Sequence, residues 1–286
     1  MQSSKKHRLE VSSKLSYNLP TECTFIFNIS VVRNEHQIVL EEDLNFDPAI
    51  ASEEYIAADT GTRYLRLIAP PGEFKISYRA LVDVCYLEED PNAIAEIPPG
   101  KLPLETMQYL WPSRYCQSDR LFRLAQEEFG HLLPGYSKVT AICNWIYDNV
   151  VYLSGSTDSQ TSACDTLLER AGVCRDFAHL GIALCRAFNI PARFAAGYSY
   201  NLQPPDFHAY FEAYLGDRWY IFDPTRLAPR AGFVRIGTGR DAADASFATI
   251  FGPAQMTMMK LAVDSVGESP PERTERAISQ MEVISG

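Results

Sequence analysis

Residues 174–189 read CRDFAHLGIALCRAFN, and whether Cys174 opens a helix decides how the rest of the chain is assembled. Phe177, Leu180, Leu184 and Phe188 recur at intervals of three and four, which predicts a helix with one buried stripe. Asn189 and Pro191 bring it to an end. Cys174, Ala178, Gly181 and Cys185 form a neighbouring row whose small side chains let another element approach closely. A thiol in the first turn of a helix meets unsatisfied N–H groups and the positive end of the helix dipole, a position that favours the thiolate and suits a nucleophile. Taken alone, a single cysteine is more often a small core hydrophobe.

His179 is a poor partner for it. Five residues along a helix is a rotation of about 140°, which turns the imidazole away from Cys174. Cys185 returns to nearly the same angle but lies about 16 Å along the axis, beyond the reach of a disulfide or a shared metal. Asp176 and His179 are expected instead to hold nearby loops by hydrogen bonds.

A better histidine lies in DFHAYFEAYLGDRWYIFDPT, residues 206–225. His208, Tyr210, Glu212 and Tyr214 alternate with Phe207, Ala209, Phe211 and Ala213, the period of a strand. Gly216-Asp217 suits a two-residue hairpin turn pairing Leu215 with Arg218. Asp223 is then the diagonal neighbour of His208 on the same face. A loop one residue longer or shorter would move Asp223 to the opposite face. By itself His208 reads equally well as a satisfied, half-buried histidine, and Asp223-Pro224 as turn chemistry. Together the three residues meet one chemical requirement: a thiol, a base for its proton, and an acid that fixes the tautomer of the base.

The flanking sequence divides by period. Residues 8–88 alternate, as in Phe25, Phe27, Ile29 and Val31 or Ile76, Tyr78, Ala80 and Val82, with turns at APPGEF (69–74) and DTGTR (59–63). This predicts an antiparallel, β-rich module. EEDPNAIAEIPPG (88–100) reads as a linker, and after it the spacing of Leu121, Leu124 and Ala125, then Val139, Ile142 and Ile146, becomes helical. The expected organisation is an α+β chain: a β-rich domain with its linker over 1–100, a mixed domain over 101–262, and a loose polar tail over 263–286.

The chain has 286 residues, 46% hydrophobic content and a net charge of −10, which fits a globular protein and disfavours a nucleic-acid partner. No run of 18 apolar residues and no signal-peptide pattern at the start is evident, so neither a membrane anchor nor export is expected. Seven scattered cysteines without a Cys-x-x-Cys pair point to reduced thiols and a cytoplasmic setting. Neither calcium-loop nor zinc-ligand spacing occurs, and no cofactor is expected.

GVCRDFAHLGIALCRAFNIPARFAAGY followed by FHAYFEAYLGDRWYIFDPT resembles the transglutaminase-like superfamily of cysteine enzymes, with 34 positions from Cys174 to His208 and 15 more to Asp223. YLWPSRYCQSD (109–119), VRIGTGRDAADASFATIFG (234–252) and the β-rich residues 8–88 are similar to its bacterial cysteine-protease-like branch. The resemblance implies a papain-like α+β core, with the cysteine helix packed on an antiparallel sheet. It implies Cys174 as nucleophile, His208 as general base and acid, and Asp223 as orienter. It also implies a cysteine-dependent acyl-transfer enzyme acting on a peptide, protein or small amide. Hydrolysis through a thioester is the first expectation, with amide exchange or a catalytically idle binding module as alternatives. Tyr210 stands where the family commonly has tryptophan, and is expected to keep an aromatic wall while altering substrate shape. Tyr152 and Gln160 are candidates for a second oxyanion donor beside the Cys174 N–H. Arg226, Arg240, Asp241 and Asp244 read as a surface charge cluster or as groups for a substrate carboxylate.

Overall fold

The computed structural model describes residues 3–280 except residue 268. Six strands come first: β1 (Ser3–Leu19), β2 (Cys23–Phe27), β3 (Gln37–Asp47), β4 (Ser52–Ile56), β5 (Arg63–Ala69) and β6 (Gly72–Glu89). They form two antiparallel sheets. In the first, β1 and β6 pair along their whole length, from Ser3 opposite Glu88 to Leu19 opposite Gly72, and β3 adds to β6. In the second, β5 lies between β2 and β4. Alternation along β2 and β5 turns one face of that sheet inward, where Phe25 packs on Tyr17 and Phe74 of the first sheet at ring separations of 5.0 and 5.4 Å.

The second half contains α1 (Ser118–Phe129), α2 (Tyr136–Asn149), β7 (Val151–Tyr152), α3 (Ala163–Glu169), β8 (Ala171–Gly172) and α4 (Cys174–Ala187). A four-stranded sheet follows, ordered β11 (Arg218–Phe222), β10 (His208–Leu215), β9 (Ala192–Ser199), β12 (Phe233–Gly239). Cys174 opens α4 as expected, and Asn189 stands just beyond its end with φ +60°. The sheet and the other three helices surround α4, so every residue from Asp176 to Ala187 is buried. The row of small residues has its predicted effect at Gly181, where a Cβ would stand 2.5 Å from the Phe211 ring of β10.

The hairpin has the expected register. Leu215 pairs with Arg218 and Phe211 with Phe222, across Gly216 and Asp217 at φ +52° and +65°, the two left-handed positions of a type I′ turn. Alternation along β10 does not produce an exposed face, however, because both faces are covered. α4 lies against Phe211, while Tyr210 packs in a cluster with Tyr86, Phe233 and Ile278.

The domain bounds expected at 101–262 and 263–286 need correction. β13 (Ala248–Phe251) returns to pair with β2, and β14 (Gln255–Ser265) pairs with β1 from Asn18 opposite Gln255 to Leu9 opposite Ser265. β15 (Ala277–Ser279) pairs with β6. The tail is anchored too. Arg230 donates to Thr274 O and Arg276 O at 2.9 and 3.0 Å, and Ala277, Ile278, Ser279 and Gln280 are buried. Backbone pairing and two apolar side chains hold this segment despite its polar composition. Residues 281–286 of the expected tail lie outside the described residues. Gln37 joins the two halves, its side chain accepting from Arg235 N at 2.6 Å and donating to Arg235 O at 2.9 Å.

Candidate active site

The start of α4 is built by Asp176. Its Oδ2 accepts the Val173 N–H at 2.9 Å and the Thr157 hydroxyl at 2.7 Å, while Arg175 donates to Oδ1. This satisfies a donor ahead of the helix and pins the 154–161 loop to it. Gly172 permits the approach, since a Cβ there would stand 2.8 Å from the Asp176 Cβ. Cys174, half-buried, occupies the first helical position. β7 and β8 pair in parallel with Tyr152 opposite Gly172, which brings the Tyr152 phenol against both the backbone and the thiol of Cys174. Burial and then the neighbouring thiol raise the affinity of this phenol for its proton, so it remains a hydroxyl donor.

His208 is fixed from the other side. Its Nε2 stands 2.9 Å from Asp223 Oδ2, and both side chains are 1% exposed. Asp223 Oδ1 accepts from Thr225 N at 2.9 Å and from the Thr225 hydroxyl at 2.7 Å, so both carboxylate oxygens are engaged. Nδ1 of His208 has no hydrogen-bond partner among the described residues; besides Asp223 the ring interacts with Cys174 and Asp206 and packs near Phe233 and Tyr210. Burial works against a charge on His208, but the Asp223 carboxylate outweighs it, with a contribution from Cys174, and the imidazole is pushed up to about 10. Asp223 moves the other way: burial resists its ionisation, and His208 and Thr225 overcome that resistance to hold it below the ordinary carboxylate range. The pair is therefore charged at neutral pH, with an imidazolium beside Cys174.

The structure thus brings Cys174, His208, Asp223 and Tyr152 together, while Gln160 is exposed in the 154–161 loop. His179 lies apart from them. Its Nε2 accepts the Ala242 N–H at 3.1 Å, its ring stacks on Tyr115 at 5.0 Å, and burial keeps it neutral. Asp241 is buried and takes the N–H groups of Tyr115 and Ala243, while Arg186 reaches Trp111 O and Arg240 O. The 109–119 and 239–244 segments are locked to each other and to α4 in this way. Arg240 pairs with Asp244, and Arg226 rests over Tyr147 and bonds Asn144. Tyr210 corrects an expectation: fully buried against Phe233 at 4.6 Å, it does not reach solvent and cannot shape a substrate.

A cleft of about 700 Å3 lies elsewhere, where the second sheet meets the end of β12 beside Tyr55, Tyr64 and Arg240. Three of its carboxylates, Glu53, Glu54 and Asp244, are paired with Arg66, Arg63 and Arg240, and we give it no part in the chemistry. Among the described residues no cluster of three His, Cys, Asp or Glu is arranged to hold a metal, and no helix is long and apolar enough to cross a membrane.

The family model of the transglutaminase-like superfamily matches residues 123–224, and that of the bacterial transglutaminase N-terminal domain matches residues 7–104. A crystal structure described as a "Putative Cysteine Protease" from Cytophaga hutchinsonii is 48% identical, with a TM-score of 0.94, over 98% of this chain and 99% of that one. Uncharacterized proteins of Mycobacterium leprae and Mycobacterium bovis are 25% and 26% identical, each over 83% of this chain and over 90% and 85% of their own lengths.

Proposed function

The chain belongs to the transglutaminase-like superfamily and is a cysteine-dependent enzyme, and from that premise we propose that it hydrolyses peptide or amide bonds with Cys174 as nucleophile. One observation carries the reading: Asp223 holds His208 by Nε2, leaving Nδ1 to the thiol at the start of α4. In the proposed cycle the proton on His208 Nδ1 has come from Cys174 in the resting ion pair, and Sγ attacks the carbonyl carbon as the thiolate. The carbonyl oxygen, now negative, occupies the position that the Tyr152 phenol oxygen holds against the Cys174 N–H, with the phenol turned to donate to it. Collapse breaks the C–N bond as His208 gives its proton to the leaving amine, and a thioester remains on Cys174. His208 then takes a proton from water, the hydroxide attacks the thioester, and free acid leaves as the thiol is restored. Asp223 stabilises the imidazolium in both halves of the cycle. The relative described as a "Putative Cysteine Protease" supports hydrolysis over amide exchange. The seven unpaired cysteines support a reducing compartment, the cytoplasm, as the place of action.

The acceptor is tested by partition. When a peptide substrate is turned over beside a large excess of labelled primary amine, we expect free acid to be the main product by mass spectrometry. An adduct that dominates at low amine concentration, with a matching fall in acid, would assign amide exchange instead.

A further inference from the structure

Asp206 precedes His208 by two residues, which keeps their Cα atoms within about 7 Å. Its carboxylate is close enough to interact with both His208 and Tyr152. One oxygen accepts the Phe207 N–H at 2.7 Å, which fixes the exposed side chain in place. Asp206 also lines a cleft of about 310 Å3 between the end of β9 and β14.

Three features of this cleft point to a ligand. Asp264 of β14 supplies a second carboxylate, and no lysine, arginine or histidine lines the walls. Neither Asp206 nor Asp264 forms an ion pair among the described residues, whereas Glu53, Glu54 and Asp244 of the larger cleft each do. Ser199, only 5% exposed, lines the same cleft with a hydroxyl that has no hydrogen-bond partner. A buried hydroxyl left unsatisfied is costly unless something else completes it. Two unpaired carboxylates beside uncharged amides, those of Asn201 and Gln203, favour a cation with several N–H donors.

We infer that the cleft between β9 and β14 is a substrate subsite for an ammonium or guanidinium group, carried about one residue from the carbonyl that Cys174 attacks, and that Asp206 is the residue reading its charge. The inference rests on Cys174 and His208 being the reacting pair. Asp206 takes no proton in the reaction. It selects substrates by attraction, with Asp264 and Ser199 lining the same cleft.

The test uses peptidyl acyloxymethyl ketones that differ only in having lysine, norleucine or glutamate next to the ketone. Alkylation of Cys174 in the full chain is followed by intact-protein mass spectrometry. The lysine probe is expected to react about tenfold faster than norleucine and faster still than glutamate. Asp206→Asn, which retains an oxygen for the Phe207 N–H, should shrink the lysine-to-norleucine ratio toward one. Asp264→Asn should reduce it partly, and 1 M salt should reduce it in the wild type. Because the readout is a ratio within one protein, loss of folded material cancels. Labelling that depends on His208 but ignores probe charge overturns this inference alone, as does a ratio unmoved by both substitutions. Labelling no faster in the wild type than in His208→Ala overturns the cysteine-enzyme reading, and the inference with it.

Discussion

Asp223→Asn is expected to cut turnover by roughly 10³ to 10⁴-fold while the fold survives. The asparagine oxygen can still accept from Thr225, whose N–H and hydroxyl now lie 2.9 and 2.7 Å from Asp223 Oδ1. That places the amide nitrogen against His208 Nε2, where it donates a hydrogen bond instead of accepting one. The imidazole must then carry its proton on Nδ1, the nitrogen facing Cys174, and can no longer take the thiol proton. Loss of the carboxylate also removes the main support for the imidazolium, so the alkaline limb of the rate profile should move to lower pH. His179→Ala is the contrast: it costs stability, because a buried ring is lost, but leaves the thiol and its base in place. Circular dichroism and turnover on both variants decide the matter, and equal losses of activity would contradict these separate roles.

The largest effect on stability is expected from Glu212→Gln. Glu212 pairs with Arg193 across β10 and β9 at 2.6 Å and lies 3.3 Å from Arg235 of β12, with all three side chains at most 3% exposed. The amide keeps the volume of the carboxylate but removes the negative charge between two buried guanidinium groups. Breaking a buried pair from one side costs about 3–5 kcal/mol, because charge remains without its counterion. For a chain of this size that is a fall in melting temperature on the order of 10 °C. Thermal melts followed by circular dichroism measure it. A fall of only a degree or two would mean that the cluster is bound together by contacts other than this charge.

The site was readable where local rules leave little choice. Gly216-Asp217 fixes the turn, the turn fixes the register, and the register brings Asp223 to His208. Helical angle separates His179 from Cys174 in the same way, and the structure gives that histidine to Ala242. What the sequence hid depends on distant partners. β14 shows little alternation, since most of its side chains are exposed or half-exposed, and its backbone pairing with β1 leaves no trace in side-chain pattern. The segment around Ala277–Ser279 reads as polar tail because its anchor, the half-buried Arg230, lies more than forty residues away. No pattern in the sequence singles out Asp206, and only the cleft beside it gives its carboxylate a use.

The central claim, that Cys174 is a thiol activated by His208, is tested most directly by limited iodoacetamide treatment near neutral pH followed by peptide mapping. Burial pushes the Cys116 thiol up to about 12 and drives Cys143 and Cys185 upward as well, so all three should be slow. Cys85 and Cys164 are half-buried like Cys174 and serve as internal controls. Cys174 is expected to be labelled at least about tenfold ahead of both, with that lead lost in His208→Ala. Labelling spread evenly over the half-buried thiols, or a Cys174 lead that persists without His208, would contradict it.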